Sequence, residues 1–173
     1  MNPAPFRVTP LDETHDRSVF KSSAAPLDLY FHQQAAQDIR RRITACFVAL
    51  DAQPNRRPLI EGYYTLASTS VLLADLPPDI GKKLPRQLSV PAVRMERLAV
   101  DETIKGQGLG SALLADALER AAQAEIAAFV FVVDANDATA AGFYRHHGFV
   151  ALPDSPLTLF LPLATVRLAH ANA

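Results

Sequence analysis

The sequence predicts an α/β fold with a mixed (α+β) sheet in one domain over residues 1–173. Three observations predict it. Strand-like and helix-like segments alternate in the second half, which implies at least one parallel strand pair. Residues 127–133 form a short, continuously apolar run rich in Val and Phe, as in a strand buried on both faces. In the first half, two strand-like runs flank the turn-rich stretch DAQPNRRP, as in an antiparallel hairpin.

The elements follow in order. Residues 27–42 are predicted helical, because Leu27, Tyr30, Phe31, Ala35 and Ile39 recur at three- and four-residue spacing and Pro26 suits a helix start. Residues 43–50 and 59–68 are the hairpin strands. Residues 77–91 carry four prolines and a glycine and are read as a long loop. A strand over 93–100 leads to a helix over 109–123, whose apolar stripe is Leu109, Leu113, Leu114, Leu118 and Ala121. A second helix over about 137–147 stops at Gly148, a left-handed cap. The last strand, 157–166, contains Pro162 and is expected at an edge or a bulge.

Composition narrows the function classes. Apolar residues make up 49% and charged residues 20% of 173, an ordinary globular balance. The formal charge of −1 argues against coating nucleic acid wholesale but leaves room for a local basic patch. One cysteine, Cys46, excludes an internal disulfide framework and suits a reducing compartment. The start, MNPAPFRVTP, has no basic patch followed by an apolar stretch, so no secretory signal is expected, and the longest apolar run is too short to span a bilayer. A cytoplasmic protein without membrane partners is expected. No Cys or His pair has zinc-ligand spacing, so no metal is expected.

The most informative segment is Arg97-Leu-Ala-Val-Asp-Glu-Thr-Ile-Lys-Gly-Gln-Gly-Leu-Gly-Ser-Ala-Leu-Leu. A strand runs into a turn with Gly106, Gly108 and Gly110, and a helix begins there. Glycine permits positive φ and close approach of a ligand. The free N–H groups of a helix start favour a phosphate, and Lys105 adds charge. The P-loop pattern is absent. A dinucleotide site fits less well, because the spacing is G-x-G-x-G and a non-glycine loop follows Val100, although Asp134 is available as a ribose-binding acid. A simple turn is the remaining alternative.

This stretch resembles the acetyl-CoA signature of the GNAT N-acetyltransferases, [QR]-x-x-G-x-[GA], with Lys105 at the first position and Gly108 and Gly110 at the later ones. A strand ending FVFVVDAN and a helix holding Ala141-Gly-Phe-Tyr-Arg-His-His-Gly-Phe149 complete the likeness over residues 93–150. The resemblance implies a GNAT-like fold and acetyl-CoA as cofactor. It implies a coenzyme site of Leu98, Ala99, Val100, Lys105, Gly106, Gln107, Gly108, Leu109, Gly110, Ser111, Asn136 and Phe143, and Tyr144 as general acid. A phenol with pKa near ~10 can protonate a thiolate; the alternative for Tyr144 is an aromatic packed on the preceding strand.

The resemblance extends to the toxin branch of that family, paired with ribbon-helix-helix antitoxins. It is carried by Phe20, Leu27-Asp28, Tyr30, Gln34, Gln37-Asp38, Arg40-Arg41-Arg42, Gly62-Tyr63-Tyr64-Thr65-Leu66, Leu84-Pro85-Arg86 and Arg97-Leu98-Ala99-Val100. Two departures stand out: Ser22-Ser23 where the branch has Cys-Gly, and Glu96 where it has Gly. The branch implies acetylation of the amino group of aminoacyl-tRNA, with Arg40, Arg41, Arg42 and Arg97 on the substrate, a homodimer and an antitoxin partner. By spacing alone the three arginines are cations at a helix C-terminus; Lys82, Lys83 and Arg86 are candidates for the same basic patch. Glu96 is a candidate base of unassigned direction. His146 and His147 are read as a helix cap, and Cys46 as core. Two alternatives stay open: acetylation of a small or protein amine, and a silent coenzyme-binding module.

Overall fold

The computed structural model describes residues 6–166. The chain divides into two compact units. One comprises the residues up to Ala67 with Glu96–Ala117, the other Ser68–Met95 with the residues from Leu118 onward.

In the first unit the strand order is β1 (Phe6–Pro10), β2 (Ala45–Asp51), β3 (Ile60–Leu72) and β5 (Leu98–Val100), with every neighbouring pair antiparallel. The expected hairpin is thus present as β2 and β3, and β1 adds a strand that the sequence pattern did not single out. The expected helix over 27–42 is two helices, α1 (Ala25–Gln33) and α2 (Ala35–Arg40). Gln34 at the joint stays in the α region but with φ −118, far from the roughly −63° of a regular helix. The 3.6-residue pattern runs on unbroken because Tyr30, Phe31 and Ala35 stay buried on one side of the joint and the next. Asp38 bridges the break, accepting from Tyr30 Oη and from Gln34 Nε2, each at 3.0 Å.

The core of this unit is aromatic. Phe31 stacks on Tyr63 with ring centres 4.2 Å apart, and Phe20 sets its edge against both rings. Such pairs contribute about 0.5–1.5 kcal/mol each beyond area burial. Gly62 on β3 lets α4 (Leu109–Gln123) lie close: a Cβ there would meet Leu113 Cδ1 at 2.8 Å and the Ala99 carbonyl oxygen at 2.9 Å.

In the second unit the order is β3, β4 (Ser89–Met95), β6 (Val130–Asp134), β8 (Ser155–Pro162) and β7 (Val150–Leu152). β4 and β6 are the expected parallel pair, in register at Ala92 and Val130. β8 runs antiparallel to both β6 and β7. Helix α5 (Ala138–His146) is N-capped by Asp137, whose carboxylate accepts from the Ala140 N–H at 2.8 Å. It ends at Gly148, φ +91, as the sequence predicts.

Three expectations are corrected here. The loop over 77–91 contains a one-turn helix, α3 (Pro78–Gly81), and the first residues of β4. Pro at the first helical position costs no hydrogen bond, so four prolines did not preclude a turn of helix. The strand over 93–100 is two strands, β4 and β5, interrupted at Glu96 and Arg97. There the Arg97 carbonyl turns to accept from Thr65 N–H at 3.1 Å. Pro162 is neither on an edge strand nor at a bulge: it is the last residue of β8, a strand paired on both sides, where its missing N–H breaks no ladder.

Candidate active site

The turn between β5 and α4 has the geometry of a phosphate cradle. Gly106 and Gly108 both adopt φ +84, and nothing lies within 4 Å of a Cβ built on either. A side chain there would be strained by the backbone and would fill the space a ligand needs. Gly110 lies inside α4, in its first turn, together with Leu109 and Ser111. Leu109 is buried on the core side, which packs the first turn down with its N-terminal end, where a helix favours an anion, at the glycine turn.

The loop before the turn is organised by Asp101. Its carboxylate accepts from Thr103 N–H at 3.0 Å and from Lys21 N–H at 3.1 Å, and its own N–H donates to the Glu61 carbonyl at 2.8 Å. The sequence reading passed over Asp101, although Asp-x-Thr is a local signature of such a turn. Lys105 Nζ donates to Ser23 Oγ at 3.3 Å, which holds the ammonium at the end of the loop. Beside the turn, Gln107, Gly108 and Leu109 line a cavity of about 270 Å³ with Phe6 and Glu61. The Glu61 carboxyl is raised above the usual range by burial and by the charge of Asp51.

Among the described residues β5 pairs with β3 alone, which leaves the second edge of Leu98, Ala99 and Val100 available to an extended arm. Arg97, just before it, lies over the Tyr30 ring with Cζ 3.5 Å from the centroid. Its Nη1 donates to Glu96 Oε2 at 2.9 Å. Glu96, the departure from the toxin pattern, is therefore the partner of Arg97. The other departure has a structural use as well: Ser22 Oγ donates to Asp28 Oδ1 at 2.6 Å at the entry to α1.

Arg40 ends α2, Arg41 caps it, and Arg42 follows with φ +58. Arg42 N–H donates to the Ile39 carbonyl and Ile43 N–H to the Asp38 carbonyl, both at 3.0 Å, a helix stop whose left-handed position glycine usually fills. All three arginines are exposed. Lys82, Lys83 and Arg86 lie in the second unit, after α3.

Asn136, Phe143 and Tyr144 also belong to the second unit. Asn136 is exposed, two residues beyond β6. Phe143 is half-buried on α5 and meets Tyr144 and His147 edge-on, with centroids 5.2 and 4.8 Å away. Tyr144 is 7% exposed and packs on Phe149. Burial, aided by the negative charge of Asp134, pushes its phenol up to about 12. His146 and His147 close α5 as its last residue and cap. Cys46 is buried in β2, and burial pushes its thiol up to about 12. Among the described residues no helix is long and apolar enough to cross a membrane.

The acetyltransferase (GNAT) domain profile matches residues 77–151. A tRNA-acetylating toxin of Mycobacterium tuberculosis is 36% identical over 166 residues, which cover 95% of this chain and 94% of the toxin. The chain belongs to the GNAT acetyltransferases. Among solved structures, the GNAT chain is similar to AtaT complexed with acetyl-methionyl-tRNAfMet, with a TM-score of 0.86 and 27% identity over 95% of this chain and 99% of AtaT. It is also similar to AtaTR bound with AcCoA, with a TM-score of 0.82 and 26% identity over 96% and 98% of the two chains. The chain is thus an acetyl-CoA-dependent N-acetyltransferase.

Proposed function

We propose that this acetyltransferase is a toxin that acetylates the amino group of aminoacyl-tRNA and so blocks translation. The observation that carries the proposal is the match along 95% of the chain to a protein named for acetylating tRNA. In this reading acetyl-CoA supplies an activated acetyl thioester. The N–H groups of Gly106–Ser111 and the Lys105 ammonium hold its pyrophosphate, and Leu98–Val100 align its pantetheine arm. By the family resemblance, Asn136 and Phe143 are coenzyme-binding residues of the second unit.

Tyr144 donates a proton to the departing thiolate. Its raised pKa keeps it protonated throughout the neutral range, which is the state a donor needs. Arg97 offers the acceptor nucleic acid a guanidinium held flat by Tyr30, and Arg40, Arg41 and Arg42 offer exposed cations for phosphates. An amino-acid ester amine has a lowered pKa and needs little help to lose its proton. The same reading carries a homodimer, a ribbon-helix-helix antitoxin and action in the cytoplasm, where charged tRNA is found.

The test is transfer of label from radioactive acetyl-CoA to a pool of charged tRNA, with wild type and Tyr144→Phe side by side. Label in the aminoacyl fraction that Tyr144→Phe fails to produce supports both the substrate and the acid. A wild type that binds acetyl-CoA but labels no charged tRNA sinks the substrate assignment. It would turn attention to small or protein amines.

A further inference from the structure

The second unit carries a polar row that neither the coenzyme cradle nor Tyr144 uses. Arg94 on β4, Asp134 at the end of β6 and Thr158 on β8 lie on three neighbouring strands. Register pairs Arg94 with Val132 and Asp134 with Thr158, so strand alternation puts all three side chains on the Val132 face. Below them that face is apolar, packed with Ala92, Val130, Val132 and Phe160. Arg94 Nε approaches Asp134 Oδ2 at 3.4 Å, and Thr158 Oγ1 donates to Asp134 Oδ1 at 3.3 Å. Arg94 Nε is itself buried without a hydrogen-bond partner.

Each tether takes one carboxylate oxygen, yet an ionised carboxylate offers about four lone-pair sites. Asp134, with its side chain 44% exposed, keeps acceptor capacity directed outward. Half-exposed ion pairs stabilise little, so stability alone does not account for the row. Its place does suggest a use. The row stands at the carboxyl ends of the parallel strands β4 and β6, where α/β sheets hold ligands.

Tyr144 occupies the opposite face. Phe131, one position out of phase with Val132, packs on Phe149 at 6.1 Å, and Phe149 packs on Tyr144 at 5.6 Å. The Asp134 charge still reaches Tyr144 and raises its phenol. The two residues therefore flank the end of β6 from its two sides. If Tyr144 serves the leaving sulfur, as in the function proposed above, the incoming amine has to reach the acyl carbon from another side.

Resting on that reading, we propose that Asp134, aligned by Arg94 and Thr158, receives the acceptor amine. Its carboxylate accepts a hydrogen bond from the amine nitrogen and positions it for attack. A carboxylate favours an amine, charged in part, over a hydroxyl of the same shape.

The test compares the KM for aminoacyl-tRNA with the inhibition constant of the matching α-hydroxyacyl-tRNA, in wild type, Asp134→Asn and Asp134→Glu. Asp134→Asn is expected to raise the KM for aminoacyl-tRNA about tenfold. The inhibition constant of the hydroxy analogue and the KM for acetyl-CoA stay unchanged, and Asp134→Glu recovers part of the loss. A rise shared equally by the analogue, or no rise, overturns the proposal. Should Asp134→Asn lose acetyl-CoA binding through misfolding, Thr158→Ala is measured instead and shifts the same ratio by about threefold; an unchanged ratio overturns the proposal. If wild type acetylates no charged tRNA, the proposed substrate has failed. Asp134 is then judged by the same ratio on the amine that wild type does acetylate and its hydroxyl counterpart.

Discussion

The guanidinium carbon of Arg97 lies 3.5 Å above the centre of the Tyr30 ring, and the Tyr30 hydroxyl donates to Asp38 at 3.0 Å. A loop arginine is thereby fixed by a helix, and the contact depends on the flatness of the guanidinium. Arg97→Lys keeps the charge and loses the stack. It is expected to destabilise the protein by about 1 kcal/mol, read as a lower urea midpoint at unchanged slope. In a double-mutant cycle, Tyr30→Leu should abolish the effect of Arg97→Lys; a full effect in the Tyr30→Leu background refutes the stack as its source.

Gly62→Ala tests the approach of β3 to α4. Two of the three contacts are flexible Leu side chains, but the Ala99 carbonyl oxygen at 2.9 Å is backbone and cannot swing aside. A loss of about 1–3 kcal/mol is expected, with weaker acetyl-CoA binding because the first turn of α4 has to move. Wild-type stability and affinity in this variant would show that the helix yields at no cost.

Two other glycines separate backbone strain from crowding. Gly108 has open space but φ +84, whereas Gly142 has open space within helix α5. Gly108→Ala is expected to cost about 1–2 kcal/mol and to weaken acetyl-CoA binding. Gly142→Ala is expected to stabilise by about 0.5–1 kcal/mol. Equal effects in thermal unfolding would mean that the turn imposes no conformational demand.

Much of this was legible in the sequence, for identifiable reasons. The bounds 109–123 of α4 were readable because its apolar stripe is long and a glycine turn marks its start. The parallel strand β6 was readable because burial on both faces leaves an unbroken apolar run. What stayed hidden depends on partners distant in sequence. The break at Glu96 and Arg97 is set by a bond to Thr65, and β7 exists as three residues only because β8 pairs with it. Within the candidate site, glycines, lysine and tyrosine stood out by type and order. The row of Arg94, Asp134 and Thr158 did not, since those residues meet only across three strands.

Alkaline pH should unfold the protein through its buried phenols. Burial raises the Tyr30, Tyr63 and Tyr144 hydroxyls above the ordinary value of 10.0. The folded state resists ionisation while the unfolded chain ionises near ~10, so stability is complete below pH ~10 and falls above it. For Tyr144 the loss runs up to about 12. Unfolding midpoints measured from pH ~8 to ~11.5 should hold steady and then drop, and Tyr144→Phe should flatten part of that drop. A curve of the same shape in the variant would remove Tyr144 from the account.

Cys46 is 3% exposed with its thiol pushed up to about 12 by burial. Native protein at neutral pH should resist a thiol reagent and react at once in denaturant. Labelling of the native state at the rate of a free thiol would place Cys46 outside the core.

The two-part composition of the first unit has a bearing on biosynthesis. Its residues up to Ala67 have to wait for Glu96–Ala117 before their shared core can close, and Tyr144 is translated later still. With Tyr144 as the proposed acid, a nascent chain emerging from the ribosome carries no finished catalyst until α5 has cleared the exit tunnel.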